Sequence, residues 1–339
     1  MLYKYLLLLC CIIYASAESE CPAISMSGDR RDNLNVLRIM QYNTEWLYID
    51  YYKSMDCPGD GCPWHTIEDA QTHMDYVTNV INDLQPDIVN ICEVEGCDEL
   101  NMLVEQLGEN YVPYLKNGTD TSTGQNVGIV TKVDPTVDLY RSEERIAYPL
   151  EDSQCGSSAN GTTGVSKHYI TEFVLGDINI AIIGAHLLAI PTDPDRCSKR
   201  EAQSQVLQNI VSSYIDKKYE IILLGDFNDY DNEIMDVNFN KPLSMVLDIL
   251  KGNAGSKKGT YSLTNIAYKM QQEDRFSDWW DSDNNCETSS SKDYSMIDHI
   301  LVTSNIDEKI VNAFIHHDYD EYCGKMNSDH YPVIIDIEI

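Results

Sequence analysis

Ile221 to Asp231 read IILLGDFNDYD, four apolar residues running straight into Gly-Asp-Phe-Asn. An unbroken apolar run of this length is a strand buried on both faces, and the glycine ends it in a turn. That turn sets Asp226 and Asn228 at the carboxyl end of the strand. A carboxylate and an amide placed there suit a divalent cation or a phosphate oxygen. Gly-Asp after a strand is also an ordinary turn, so the rest of the chain decides between the two readings.

Upstream, the chain opens MLYKYLLLLCCIIYASA, one early lysine and an apolar run closed by small residues. The pattern predicts a secretory signal peptide over residues 1–17, too short for a comfortable membrane span. Residues 18–33 follow as an N-terminal segment, and 34–339 read as one domain without linker, repeat or low-complexity tract. The mature chain is expected to be extracellular, or in the lumen of the secretory or endolysosomal pathway, with no membrane span. Of eleven cysteines, Cys10 and Cys11 lie in the signal and nine remain. In an oxidising compartment most of these pair, and the odd count leaves one over. Cys92, inside the apolar run Ile88 to Val94, is the candidate for the unpaired thiol. Cys155 and Cys197 lie in loops on either side of the two strands that lead to His186, and are expected to pair. Cys286 and Cys323 flank Asp298 and are expected to pair as well, and a bridge across the Cys57 to Cys62 turn is plausible. Asn117 and Asn160 head glycosylation sequons.

The formal net charge is −31. A protein that coats nucleic acid carries the opposite sign, whereas an enzyme needs only a local positive field, which a bound cation supplies.

Strands and helices alternate along the domain. Val36 to Tyr42 is a strand ending at Asn43. His65 to Leu84 has helical apolar spacing and stops at Pro86, with His65 and His73 read as solvated. Asp87 to Glu93 is a second strand, Asp98 to Leu107 a helix and Asn126 to Thr131 a strand. Lys167 to Val174 and Ile178 to Ala185 form two strands, the latter running into His186. Ser198 to Ile215 is a helix leading to the central strand, and Leu243 to Leu250 a helix beyond it. Residues 252–295 form a long polar stretch, of the kind that is functional or disordered. Its Trp279 and Trp280 either stack on a substrate base or cover an apolar edge. Met296 to Thr303 and Tyr331 to Ile339 are the last strands.

Polar residues recur at the strand ends: Asn43, Glu93, His186, Asp226 with Asn228, Asp298, and Asp329 with His330. QYN at 41–43, PDIVNICE at 86–93, NVGIVT, IIGAHL, LLGDFN, MIDHILV and SDHYPV stand in the order found in the endonuclease/exonuclease/phosphatase superfamily, which the chain resembles over nearly all of Leu34 to Ile339. The resemblance implies an α/β fold of DNase I type, a four-layer sandwich of two packed mixed sheets flanked by helices. It also implies hydrolysis of phosphoesters with Mg2+, or with Mn2+ or Ca2+ in its place. By the same resemblance Glu93 is the metal ligand with Asn43 close to it and Asp329 in support. Asp298 pairs with His330 to orient or activate the attacking water. Asn228 and His186 contact phosphate oxygens, and Asp226 orients the nucleophile or serves as its base.

The charges agree with this. Two carboxylates ~5 Å apart repel by about 3 kcal/mol at an effective dielectric near 20, so four of them do not converge without a cation. Met296 stands where many nucleases of the superfamily have an arginine. Arg200 matches a position often basic in it, and reads equally as a surface or helix-packing residue. The missing arginine counts against a nucleic-acid substrate, yet under the resemblance a nucleic acid stays the leading one, ahead of a phospholipid such as sphingomyelin or an inositol phosphate. A non-catalytic secreted binding protein on the same scaffold would have lost site residues, and this chain keeps them. Oligomeric state is not legible.

Overall fold

Alternate residues of the Ile221–Leu224 run go to different layers. Ile222 and Leu224 join a core that also contains Leu37, Ile39, Ile129 and Ile335, whereas Ile221 and Leu223 pack with Val206, Leu207, Val211 and Leu250. Side chains alternate across a strand, so a strand between two apolar layers must be apolar at every position. The computed structural model describes residues 21, 23–24, 28–54, 62–281, 285, 293–319 and 326–339. The signal segment, the Cys286–Cys323 pair and all of the Cys57 to Cys62 turn but Cys62 itself lie outside them.

In chain order the described elements are β1 (Val36–Leu47), α1 (Asp50–Ser54), α2 (Ile67–Leu84), β2 (Ile88–Val94), α3 (Cys97–Leu107), β3 (Val112–Leu115) and β4 (Asn126–Thr131). There follow β5 (Ile146–Tyr148), β6 (Gly161–Thr163), β7 (Lys167–Leu175), β8 (Ile178–His186), α4 (Pro194–Asp216), β9 (Glu220–Asp226) and α5 (Val246–Lys251). The last are β10 (Thr264–Asn265), β11 (Asp278–Trp279), β12 (Tyr294–Ser295), β13 (Asp298–Val302), α6 (Ser304–Lys309), β14 (Ile310–Ile315) and β15 (Val333–Glu338). One sheet has the order β14-β15-β1-β2-β4-β3, the other β10-β13-β9-β8-β7.

Each sheet is built on one parallel pair, β1 with β2 and β8 with β9, and its remaining pairings are antiparallel. The crossovers run through α2 and α4. One core lies between the sheets, a second joins the β1–β2 sheet to α2 and α3, and a third joins the β8–β9 sheet to α4 and α5. This is the expected four-layer α/β sandwich. Gly225 has φ +152°, and a Cβ there would collide with the carbonyl of Ala185, so only glycine lets β9 lie this close to β8.

Cys155 and Cys197 are bridged, as expected; separated by 42 residues, they restrain the unfolded chain by ~4 kcal/mol in the chain-entropy model. Cys92 is unpaired and buried. A further bridge joins Cys21 to Cys97 and ties the N-terminal segment to α3. The solvated reading of His73 fails. His73 is fully buried on α2, not solvated, with its ring nitrogens 2.7 and 2.6 Å from the carbonyl oxygens of Met326 and Thr44. Part of the polar stretch 252–295 is ordered into β10, β11 and β12, and Ser277 and Asp278 come from it into the site. No helix among the described residues is long and apolar enough to cross a membrane.

Candidate active site

The parallel strands all end at one edge of the sandwich, where ligands bind in sheets of this kind. In the β8–β9 sheet the register pairs Asp298 with Asp226, Asp226 with His186, and His186 with Lys167. One row across four strands therefore runs from two carboxylates through an imidazole to an ammonium. The β1–β2 sheet faces this row with Asn43 and Glu93. Its register shifts between Asn43 and Leu47 on β1 and between Cys92 and Val94 on β2, and bulges of this kind re-aim side chains. Glu45, Trp46 and Glu93 have φ of +44°, +55° and +66°, and Asn228 in the opposite loop +50°. Non-glycine residues are held there at a cost of ~1–3 kcal/mol each, and such strain collects at functional sites.

The Asn43 amide is the hub. Its Nδ2 donates to Glu93 Oε1 at 3.2 Å and to Asp226 Oδ2 at 3.0 Å, and lies 3.3 Å from His330 Nε2. Its oxygen accepts from the backbone N–H of Glu45. In this arrangement Asn43 enters the site as a donor and orients Glu93, which the Trp46 N–H also holds. His186 Nε2 lies 3.5 Å from Asp226 and 3.8 Å from Glu93. The Asn228 backbone N–H caps Asp226, and its side-chain amide donates to the Leu187 carbonyl.

His330 Nδ1 and Asp298 Oδ2 are 2.7 Å apart. Ser277 Oγ and Gln41 Nε2 each donate to Asp298, and Asn90 in turn donates to Gln41. The far face of His330 meets Asp278 at 3.6 Å and Asp329 at 3.8 Å. All eight residues singled out from the sequence thus belong to one contact network.

Four carboxylates, Asp226, Asp278, Asp298 and Asp329, surround His330, and a fifth, Glu93, adjoins Asp226 and His186. Burial acts first on each titrating group. It pushes Asp226 well above the ordinary carboxylate range with Asp298 adding to it, and raises Asp278 to about 6 and Asp329 to about 7 against the pull of His330. Burial opposes the charge on His330, but Asp298, Asp329 and Asp278 together hold its pKa well above the usual value. His186 goes the other way, lowered by burial, Lys167 and His330. Raised carboxylates are the mark of crowded negative charge, and hard oxygen donors in this number fit a divalent cation.

Gln41, Lys167, Ser277 and Asp278 escaped the sequence reading of the site. Lys167 Nζ is 2.9 Å from Gln125 Oε1 and 3.4 Å from His186 Nε2. A lysine at the start of a strand gives no signal, and Asp278 sits in a two-residue strand too short to carry a periodic pattern. Trp279 is buried in the inter-sheet core, the apolar-cover role, while Trp280 is 68% exposed. Met296 is core. Arg200 is neither on the surface nor in the site: fully buried, it pairs with Asp229 and donates to the carbonyls of Leu188, Ile190 and Pro191.

The sequence profile of the endonuclease/exonuclease/phosphatase family matches residues 40–330. The chain belongs to that family. It is accordingly a hydrolase of phosphoester bonds, in a family whose enzymes depend on divalent cations. No curated protein matches it in sequence. Among solved structures it resembles an endonuclease/exonuclease/phosphatase family protein from Leptotrichia buccalis (TM-score 0.55, 16% identity, 89% of this chain and 100% of that one). It also resembles the 3′ phosphatase NExo from Neisseria bound to a product DNA hairpin (0.55, 15%, 89% and 100%) and D. rerio TDP2 complexed with a single-strand DNA product (0.51, 14%, 90% and 99%). At these identities the likeness establishes the DNase I-type fold alone.

Proposed function

We propose that the protein is a secreted, magnesium-dependent nuclease that cleaves nucleic-acid phosphodiesters by in-line attack of water. The observation that carries this is the convergence of Asn43, Glu93 and Asp226 with the Asp298–His330 pair within hydrogen-bond reach of one another. Glu93, oriented by Asn43, and Asp329 on the far side of His330 would hold the cation. Bound there, Mg2+, or Mn2+ or Ca2+ in its place, neutralises charge on the phosphoryl group.

The chain's own groups do the rest. Water adds to phosphorus while the ester P–O bond breaks, and the departing oxygen takes up a proton from solvent. Asp226, buried and with raised proton affinity, takes the water's proton. His330, held as an imidazolium by Asp298, donates to a phosphoryl oxygen. His186 and Asn228 line the side from which the phosphate is held. Two relatives of the fold captured with DNA products support the nucleic-acid reading, and the disulfides Cys21–Cys97 and Cys155–Cys197 support an oxidising compartment.

The test is a magnesium titration of two variants. His330→Ala is expected to lose ~100- to 10,000-fold in rate at every magnesium concentration. Glu93→Gln is expected to recover partly as magnesium rises. A folded His330→Ala protein with near-full activity ends this reading of the site. Hydrolysis of sphingomyelin or inositol phosphates but not of DNA or RNA ends the nuclease assignment.

A further inference from the structure

Beyond the Lys167 end of the row lies a surface cavity of ≈ 300 Å³ that the chemistry above does not use. Its walls come from the segments flanking β7 and β8: Val165 and Ser166 directly precede Lys167, and Leu188 follows His186 by two. Arg141, Arg145 and Lys199 line it, in a chain that holds 24 basic residues against 55 acidic ones. Glu143 and Glu144 line it as well. Glu143 lies 3.8 Å from Arg141 but is 82% exposed, and Glu144 accepts from Asn209 on α4.

Arg141 carries the second observation. Its side chain is 6% exposed, its Nη2 donates to Thr119 Oγ1 and to the Val165 carbonyl, and its buried Nε has no partner. Those two bonds fix the guanidinium in the cavity wall, where it supplies a fixed positive charge to an anion in the cavity. Arg145 donates to the Thr162 carbonyl, and Lys199 lies over the Tyr148 ring, so both are poised at the rim.

We propose that this cavity binds a second phosphate of the substrate, flanking the one that is cleaved. The proposal rests on the phosphodiesterase reading and sharpens it. With strands about 4.8 Å apart, β7 lies roughly 10 Å from β9, so the cavity flanks Asp226 rather than overlapping it. A substrate with one phosphate fills only the Asp226 end. A strand with several engages both, and the local cations offset the repulsion that a strongly acidic protein exerts on a polyanion.

The full chain is assayed with magnesium on a short single-stranded DNA oligonucleotide and on bis(p-nitrophenyl) phosphate, which carries a single phosphate. The double variant Arg145→Gln/Lys199→Gln is expected to lose ~10- to 100-fold more kcat/KM on the oligonucleotide than on the small diester, chiefly through KM. Arg141→Gln, checked for folding by circular dichroism, is expected to behave alike. Equal losses on both substrates, or none on the oligonucleotide, overturn the proposal. An inositol polyphosphate run in parallel tells a ring phosphate from a backbone phosphate as the group selected. If the wild type cleaves no nucleic acid, the nuclease reading falls separately. The cavity is then decided by isothermal titration of metal-free His330→Ala protein with pyrophosphate, which the uncompensated carboxylates exclude from the catalytic end. Binding weakened at least ~10-fold by Arg145→Gln/Lys199→Gln sustains it, and absence of binding overturns it.

Discussion

Helix α2 buries Ala70, Met74, Val77, Ile81 and Leu84 along one face, and these pack with Met40, Val89 and Ile91 of the sheet beneath. Helix α4 has the same place in the other half, between two parallel strands, yet besides its apolar residues it buries Arg200, Glu201, Gln203, Gln205 and Gln208. Those polar side chains hold backbone that no strand satisfies. Gln203 accepts from Leu188 N and donates to the Gly164 carbonyl, Gln208 donates to the carbonyls of Ile249 and Ala254, and Glu201 accepts from Met245 N. The lesson is that a parallel crossover is anchored by whatever its surroundings demand. Where a helix meets mainly a sheet, as α2 does, an apolar stripe does most of the holding, and His73 adds contacts to two carbonyls. Where loops from elsewhere lie against the helix, as those at Gly164, Leu188, Met245 and Ala254 do on α4, it must satisfy their N–H and C=O groups and becomes a polar hub.

Removing one member from each helix tests that contrast most strongly. Arg200→Ala leaves Asp229 as an uncompensated buried charge and frees the loop behind His186, and is expected to cost ~3–5 kcal/mol and activity with it. Ile81→Ala leaves a cavity worth ~2–5 kcal/mol but should spare kcat/KM per folded molecule. Urea melts and rates on both variants settle the matter. An Arg200→Ala protein within ~1 kcal/mol of wild type would mean that α4 is no hub.

Acid separates the halves next. Burial lowers His73 on α2 to about 4 against its two carbonyl contacts, and lowers His168 on β7 to about 4 with Arg141 adding to the effect. Since the unfolded chain then takes up protons first, stability is complete above pH ~6.5 and is lost as pH falls toward ~4, by up to about 3 kcal/mol for each. His168→Gln should flatten the fall in that window by about one histidine's share, and His73→Gln by the other. Melting temperatures from pH 7 to 4 measure it, and an unchanged slope in both variants would assign the acid response elsewhere.

The smallest expected effect is one in which the two helices agree. Thr66 caps α2 in a reciprocal box with Asp69, and Asp193 caps α4 by accepting from Asp195 N and Arg196 N. Caps are local, so Thr66→Ala should cost about 1 kcal/mol and Asp193→Ala should lower the melting temperature to a similar extent, whatever lies beneath the helix. A several-fold difference between them would show that the polar hub extends to the cap of α4.

The sequence by itself determined the layers and the polar residues that meet at the candidate site. Apolar runs such as Ile221–Leu224 and Val333–Ile335 declare strands buried on both faces, and the helical spacing from Ala70 to Leu84 declares α2. The eight polar residues at strand ends were legible because their positions relative to those runs are local facts. The short elements β3, α6 and β14 were not legible, since none carries a periodic pattern long enough to read.

Tertiary structure alone decided what these residues do together. His73 looks solvated by its neighbours in sequence, and is buried only because β1 and the segment at Met326 close over it. Arg200 reads from the sequence as a surface or helix-packing residue, and only the loop at 188–191 wrapping it decides that it is buried. Asp278 and Lys167 enter the site through pairings with residues 52 and 19 positions away. The physical reason is the same in each case. Apolar burial is announced by a residue's own periodicity, whereas a buried charge or amide is stable only through partners brought from elsewhere in the chain.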